Sequence, residues 1–169
     1  LICYNQAFFA AKEKQYAEAY DYVLLAQNFN HDSRSNQRFE INLYYRWGNQ
    51  LHREQKHSQS FTVFADAAYR YPDNKDFVNN CLVSFFNALR QLWAEKDWQE
   101  TNRLVNEIRE LEILDQPATN DLAKFMLNWT HYFYISREKE NGQEAIVLQK
   151  KLGIQSKELK QLEHAINSL

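Results

Sequence analysis

A shortage of glycine is the tightest constraint on this chain. Its 169 residues hold 3 glycines, at 48, 142 and 153, and 2 prolines, where average usage predicts roughly 12 and 8. A sheet protein of this length needs many tight turns at positive φ, and the residues that supply them are missing. Neither Gly-rich phosphate pattern, GxGxxG or GxxxxGK[ST], can be written with glycines at those three positions. Hydrophobic residues at 44% and aromatics at 15% exclude a disordered linker. A chain of this length also buries enough surface for a core without disulfides or metal. The expectation is an all-α protein with short connections, read as one domain over 1–169.

Twenty Lys and Arg against 22 Asp and Glu give a net charge of −2, too balanced to predict a nucleic-acid partner. Apolar runs are short, so no membrane insertion is expected. The opening LICYNQAFFAAKEK has no basic start and turns polar early, unlike a signal peptide. Because Leu1 falls inside a helical pattern, the chain reads as a segment excised from a longer protein. Cys3 and Cys81 sit on apolar helix faces and are expected as buried thiols.

An internal repeat follows. Tyr16-Ala17-Glu18-Ala19, His57-Ser58-Gln59-Ser60 and Trp98-Gln99-Glu100-Thr101 each run from a ring to a small residue, and the small residues are 41 apart. Asn141-Gly142-Gln143-Glu144-Ala145 extends the series, with Ala145 a further 44 on. After each small residue, positions +4 and +7 carry Val23 and Ala26, Phe64 and Ala67, Val105 and Ile108, Gln149 and Leu152, one face of a helix. Before it, at −12 and −9, stand Ala7 and Ala10, Gly48 and Leu51, Leu89 and Leu92, Phe133 and Ser136. These describe the facing helix of a hairpin.

With those residues in place the chain resembles the tetratricopeptide repeat family. Residues 41–74 carry the resemblance best, through Tyr44, Trp47-Gly48, Leu51, Ser60, Phe64, Ala67 and Pro72 at the family's spacing. Residues 1–33 follow through Ala7, Ala10, Tyr16, Ala19 and Ala26, with His31 in place of the proline; 82–115 and 126–155 are more degenerate. The family's unit is 34 residues, and the 41–44 spacing here adds about seven between units, as at Asp32–Arg38. Helix pairs of HEAT or armadillo type share the longer period; the Trp-Gly…Leu…Ser…Phe…Ala…Pro string favours the tetratricopeptide type. The resemblance implies antiparallel helical hairpins stacked as a right-handed solenoid, closed by a capping helix at 156–168.

Helices are expected near 1–13, 16–30, 37–54, 57–70, 74–95, 98–113, 119–139, 143–152 and 156–168. Pro72 ends one, with Asp73 or Asn74 capping the next; Pro117 precedes a cap at Thr119 or Asn120. Asn141-Gly142 reads as a turn, Gly153 as a C-terminal stop, and Ser156 as the last cap.

Chemistry is sparse. No HExxH, CxxC or GxSxG occurs, and His52 and His57, five apart across a turn, read as solvated rather than as metal ligands. His31 is expected in a loop and His164 on a polar helix face. Glu107–Glu112 and Glu138–Glu140 read as solvated faces. No catalysis, cofactor or metal is expected. Trp47, Phe64, Phe85 and Phe125 are expected in the core.

The family resemblance implies instead a concave groove lined from the first helix of each pair. Its register selects Asn42, Tyr45, Arg46, Asn49 and Arg53, then Asn87, Arg90 and Trp93, then Thr130, His131, Tyr134 and Arg137. Arg, Asn and aromatic side chains with few carboxylates suit a peptide or acidic segment. The partner implied is a protein or peptide, or another part of its own chain, bound by a scaffold or adaptor; the alternative is a domain that senses a small ligand or signalling peptide. Chaperone-binding members of the family clamp a terminal carboxylate with Lys and Asn of the first repeat. Tyr4 and Phe8 stand at those positions, which argues against a chaperone tail.

Overall fold

The computed structural model describes residues 2–28 and 34–169, without the side chains of Ile2, Arg34 and Ser35. His31 and the Asp32-Ser33 part of the expected linker lie outside the described residues. Among the described residues there are nine helices and no strand: α1 (Ile2–Lys12), α2 (Tyr16–Gln27), α3 (Arg34–Arg53), α4 (His57–Arg70), α5 (Lys75–Glu95), α6 (Trp98–Glu110), α7 (Gln116–Ser136), α8 (Lys139–Lys151) and α9 (Lys157–Asn167). None is long and apolar enough to cross a membrane. The chain forms two compact units, Leu1–Ala88 and Leu89–Leu169, with the division falling inside α5.

The backbone repeats every 41 residues more strictly than the sequence does. Helices α2, α4, α6 and α8 start at Tyr16, His57, Trp98 and Lys139. Two residues before each start the backbone turns left-handed, at Lys14 (φ 61), Gln55 (φ 60), Lys96 (φ 59) and Arg137 (φ 59). The next amide donates five residues back, Gln15 to Ala10, Lys56 to Leu51, Asp97 to Leu92 and Glu138 to Phe133, at 2.9–3.0 Å. The left-handed residue itself donates three back. This is the Schellman arrangement, usually built on glycine. Here long unbranched polar side chains occupy all four sites, which is how a chain with so little glycine still makes its turns. Gly153 (φ 72) makes a fifth, with Ile154 donating to Gln149.

This register corrects the fourth repeat. The residue equivalent to Ala19, Ser60 and Thr101 is Gly142, not Ala145, so the spacing stays 41 rather than lengthening to 44. Asn141-Gly142 is therefore helical, inside α8, and not a turn. A Cβ on Gly142 would lie 2.8 Å from Ile166 Cδ1, so the glycine serves close approach to α9. The −12 residue becomes Thr130, fully buried, in place of Phe133. Gln149 Nε2 donates to Thr130 Oγ1 at 2.7 Å, tying α8 to α7.

In the first unit α1 packs on α2, α2 on α3, and α3 on α4. Gly48 lets α3 approach α4: a methyl there would sit 2.5 Å from Phe64 Cε2 and 2.9 Å from Cε1, and Ser60 Oγ donates to the Gly48 carbonyl at 3.0 Å. The start of α5 joins through Ser60–Ser84 at 2.9 Å and the Phe61–Phe85 ring pair. Gly48→Ala is expected to destabilise by a net ~1–2 kcal/mol, overpacking outweighing the ~1 kcal/mol gained in helix propensity. Urea melts measure it; a variant as stable as wild type would mean that Phe64 yields freely.

In the second unit α7 packs on α8, and α9 on both; α6 also touches α8. Trp98, Trp129 and Phe133 fill its core, as do Ile146, Leu159 and Ile166. Cap residues differ from expectation at one end: Asp115 accepts from Ala118 N at 2.8 Å, so α7 starts at Gln116 with Pro117 in its first turn, not at Thr119 or Asn120. An aspartate there also faces the positive end of the helix. Asn74 and Ser156 cap α5 and α9 as expected. Cys81 is buried and Cys3 half-buried, both as thiols.

Candidate functional site

Four of the residues expected in the groove come together in the first unit. Tyr45, Arg46, Asn49 and Arg53 lie along α3 and line one cavity of about 450 Å³ with Lys14, Tyr16, Gln50 and Glu54. The left-handed turn at Lys14 and the first residue of α2 form its other side. Arg46 and Arg53 make no hydrogen bond or ion pair with the described residues, whereas Glu54 is taken by Lys56 at 2.8 Å and Gln50 at 2.8 Å. Those two donors hold the Glu54 carboxyl below its ordinary range. Three cations against one already paired carboxylate leave the cavity positive. Tyr45 is fixed by stacking on Phe77, ring centroids 4.5 Å apart, and by a 3.3 Å bond to Asn74 Oδ1.

The remaining groove candidates do not join this cavity. Asn42 is exposed on α3, outside the lining. Asn87 is half-buried and Arg90 exposed, both on α5. His131 and Tyr134 are exposed on α7, and Arg137 is the left-handed residue of the fourth turn. Thr130 is buried and bonded to Gln149, so it lines no surface. Trp93 packs among rings, with Trp129, Tyr132 and Phe125. Phe64 and Phe85 are in the core, while Trp47 and Phe125 are only half-buried.

A polar cluster that no sequence motif announced ties α2, α3 and α4 together. Glu40, 3% exposed, accepts from Gln27 Nε2 at 2.8 Å and from Arg70 Nη1 at 3.3 Å. Arg70 Nε lies 3.5 Å from Asp66 Oδ2. Asp66 also accepts from the Tyr20 hydroxyl at 2.6 Å and from the Tyr44 hydroxyl, and the two hydroxyls are 2.9 Å apart. Burial pushes the Tyr20 hydroxyl up to about 12, with the Asp66 bond adding to it; burial and neighbouring acids push Tyr44 and Tyr71 up as well. All three stay protonated donors. Burial also raises Glu40 against the pull of Tyr71 and Arg70. This cluster is saturated by its own members and serves packing.

His52 and His57 are half-buried rather than solvated, their rings edge to face at 4.9 Å. Desolvation and the neighbouring His52 push His57 below its ordinary value. Among the described residues no three His, Cys, Asp or Glu side chains are grouped to hold a metal ion. No family model, curated protein or solved structure matches the chain.

Proposed function

We propose that this chain is a tetratricopeptide-like helical-repeat module, of the right-handed solenoid class, that binds a peptide segment bearing carboxylates and carries no reaction of its own. The observation that carries this reading is the cavity on α3, with two guanidinium groups that have no partner among the described residues, two amides and two tyrosine rings. Recurrence of one hairpin turn every 41 residues supports the repeat class. Arg46 and Arg53 are two helical turns apart, about 10 Å along the axis. That distance is matched by about three residues of a polyproline II peptide, whose roughly 3.1 Å rise and three residues per turn put i and i+3 on one face, so the best fit is a pair of acidic side chains at i and i+3. Each guanidinium can take a carboxylate through paired N–H donors, while Tyr16 and Tyr45 cover an intervening apolar side chain.

The probe is a labelled peptide with two glutamates at that spacing and a phenylalanine between them, read by fluorescence anisotropy. Wild type is expected to bind it, more weakly as salt rises. Arg46→Glu/Arg53→Glu is expected to lower affinity by at least about tenfold, about 1.4 kcal/mol. Equal affinity in both proteins, at unchanged helicity and Tm, would remove the cavity as the site.

A further inference from the structure

The second unit holds an aromatic box corner, with Trp93 and Tyr132 as its two walls and Trp129 behind them. Trp93 and Trp129 meet at 89° with centroids 4.9 Å apart, Trp129 and Tyr132 at 88° and 5.9 Å, and Trp93 and Tyr132 at 76° and 5.9 Å. The corner is occupied by the chain's own cation. Lys96 Nζ stands 3.4 Å from the Trp93 centroid, 4.8 Å from that of Tyr132 and 5.9 Å from that of Trp129. All three lie within the roughly 6 Å over which a ring face attracts a cation. Trp129 is fully buried and Trp93 and Tyr132 half-buried, whereas Lys96 is exposed, so the box opens on the side from which Lys96 enters.

We propose that the faces of Trp93 and Tyr132, backed by the buried Trp129, form a binding site for a trimethylammonium head, with Lys96 as a built-in competitor that occupies the site when no ligand is present. A primary ammonium is strongly hydrated and points three N–H bonds that rings satisfy poorly. A trimethylammonium group is weakly hydrated and presents polarised methyl groups in several directions, so two ring faces at about a right angle, Trp93 and Tyr132, suit it better than they suit lysine. Lys96 is held through its own backbone turn and these rings; among the described residues its side chain makes no hydrogen bond or ion pair that would oppose its withdrawal. The site shares no residue with the α3 cavity, and its ligand charge is opposite.

The test titrates the intact chain with choline, with a peptide containing trimethyllysine, and with the same peptide carrying a neutral tert-butyl analogue. Indole fluorescence and the indole N–H resonances report binding. Lys96→Asn removes the competitor with a residue that tolerates positive φ, and Lys96→Gly repeats the test should asparagine disturb the turn. A trimethylammonium probe is expected to bind these variants about tenfold more tightly than wild type, since Lys96 no longer holds the competent state closed. Trp93→Leu in the Lys96→Asn background is expected to lose that gain. Binding of the peptide without choline would assign the head to a protein side chain, and the reverse to a small molecule; either supports the site. Equal binding of the charged and neutral peptides, or no gain in either Lys96 variant, would overturn it.

Discussion

Trp129→Ala is expected to cost about 3–5 kcal/mol, the largest loss from any single truncation in the second unit. Trp129 is fully buried, and its ring contacts Trp93, Trp98, Tyr132 and Phe133 at centroid distances of 4.9, 5.5, 5.9 and 5.3 Å. Truncation leaves a void with rings on four sides, too wide for the helices to close. Trp129→Phe is the informative contrast. Trp129 Nε1 is buried without a hydrogen-bond partner among the described residues, so phenylalanine gives up volume and no bond, and the loss is expected to be about 1–2 kcal/mol. Urea melts followed by circular dichroism measure both. Equal losses for the two variants would mean that Nε1 has a partner in solution, through water.

Arg70→Met is expected to cost about 2–3 kcal/mol near pH 7. It removes the cation from the cluster of α2, α3 and α4 and leaves the Glu40 carboxylate, 3% exposed, with neutral donors only. Breaking a buried pair usually costs about 3–5 kcal/mol; the smaller figure reflects Arg70, whose side chain is 30% exposed and loses less by separation. The sign of the pH dependence follows from Glu40. Burial already raises its folded pKa, and Arg70 opposes that rise. In the variant the pKa climbs further above the unfolded value, so the folded state holds the proton more tightly. Stability is then fully present below the unfolded pKa and lost as pH rises through the folded one. The deficit should narrow towards about pH 4 and widen towards neutrality, in urea melts across that range. A deficit independent of pH would place the role of Arg70 in packing alone.

Much of the fold was legible because it rests on local signals. A ring followed by a small residue at 41-residue spacing marked three hairpins, and α4 begins and ends where expected, at His57 and Arg70. The fourth hairpin was misread for a physical reason. Asn-Gly carries the strongest turn signature in the chain, but Gly142 is there to let Ile166 approach, and the left-handed residue is Arg137. Positive φ at Lys, Gln and Arg leaves no mark in composition.

The α3 cavity was legible in part: Tyr45, Arg46, Asn49 and Arg53 line it together because they share one face of one helix. The packing cluster of Glu40, Asp66 and Arg70 was not legible, since they come from two helices and only tertiary packing joins them to Tyr20 and Gln27 on a third. The aromatic box was hidden differently. Trp93 reads from sequence as a groove residue, and only tertiary packing brings Lys96 over Trp93 and Tyr132.

The central claim is that two cations on α3 read two carboxylates of a partner peptide, and reversal of charge on both sides tests it most directly. The labelled peptide and its counterpart with lysine in place of each glutamate are titrated into wild type and into Arg46→Glu/Arg53→Glu. The account predicts that wild type prefers the acidic peptide and the variant the basic one, each by at least about tenfold. A variant that binds both peptides as wild type does, with helicity and Tm unchanged, would contradict it.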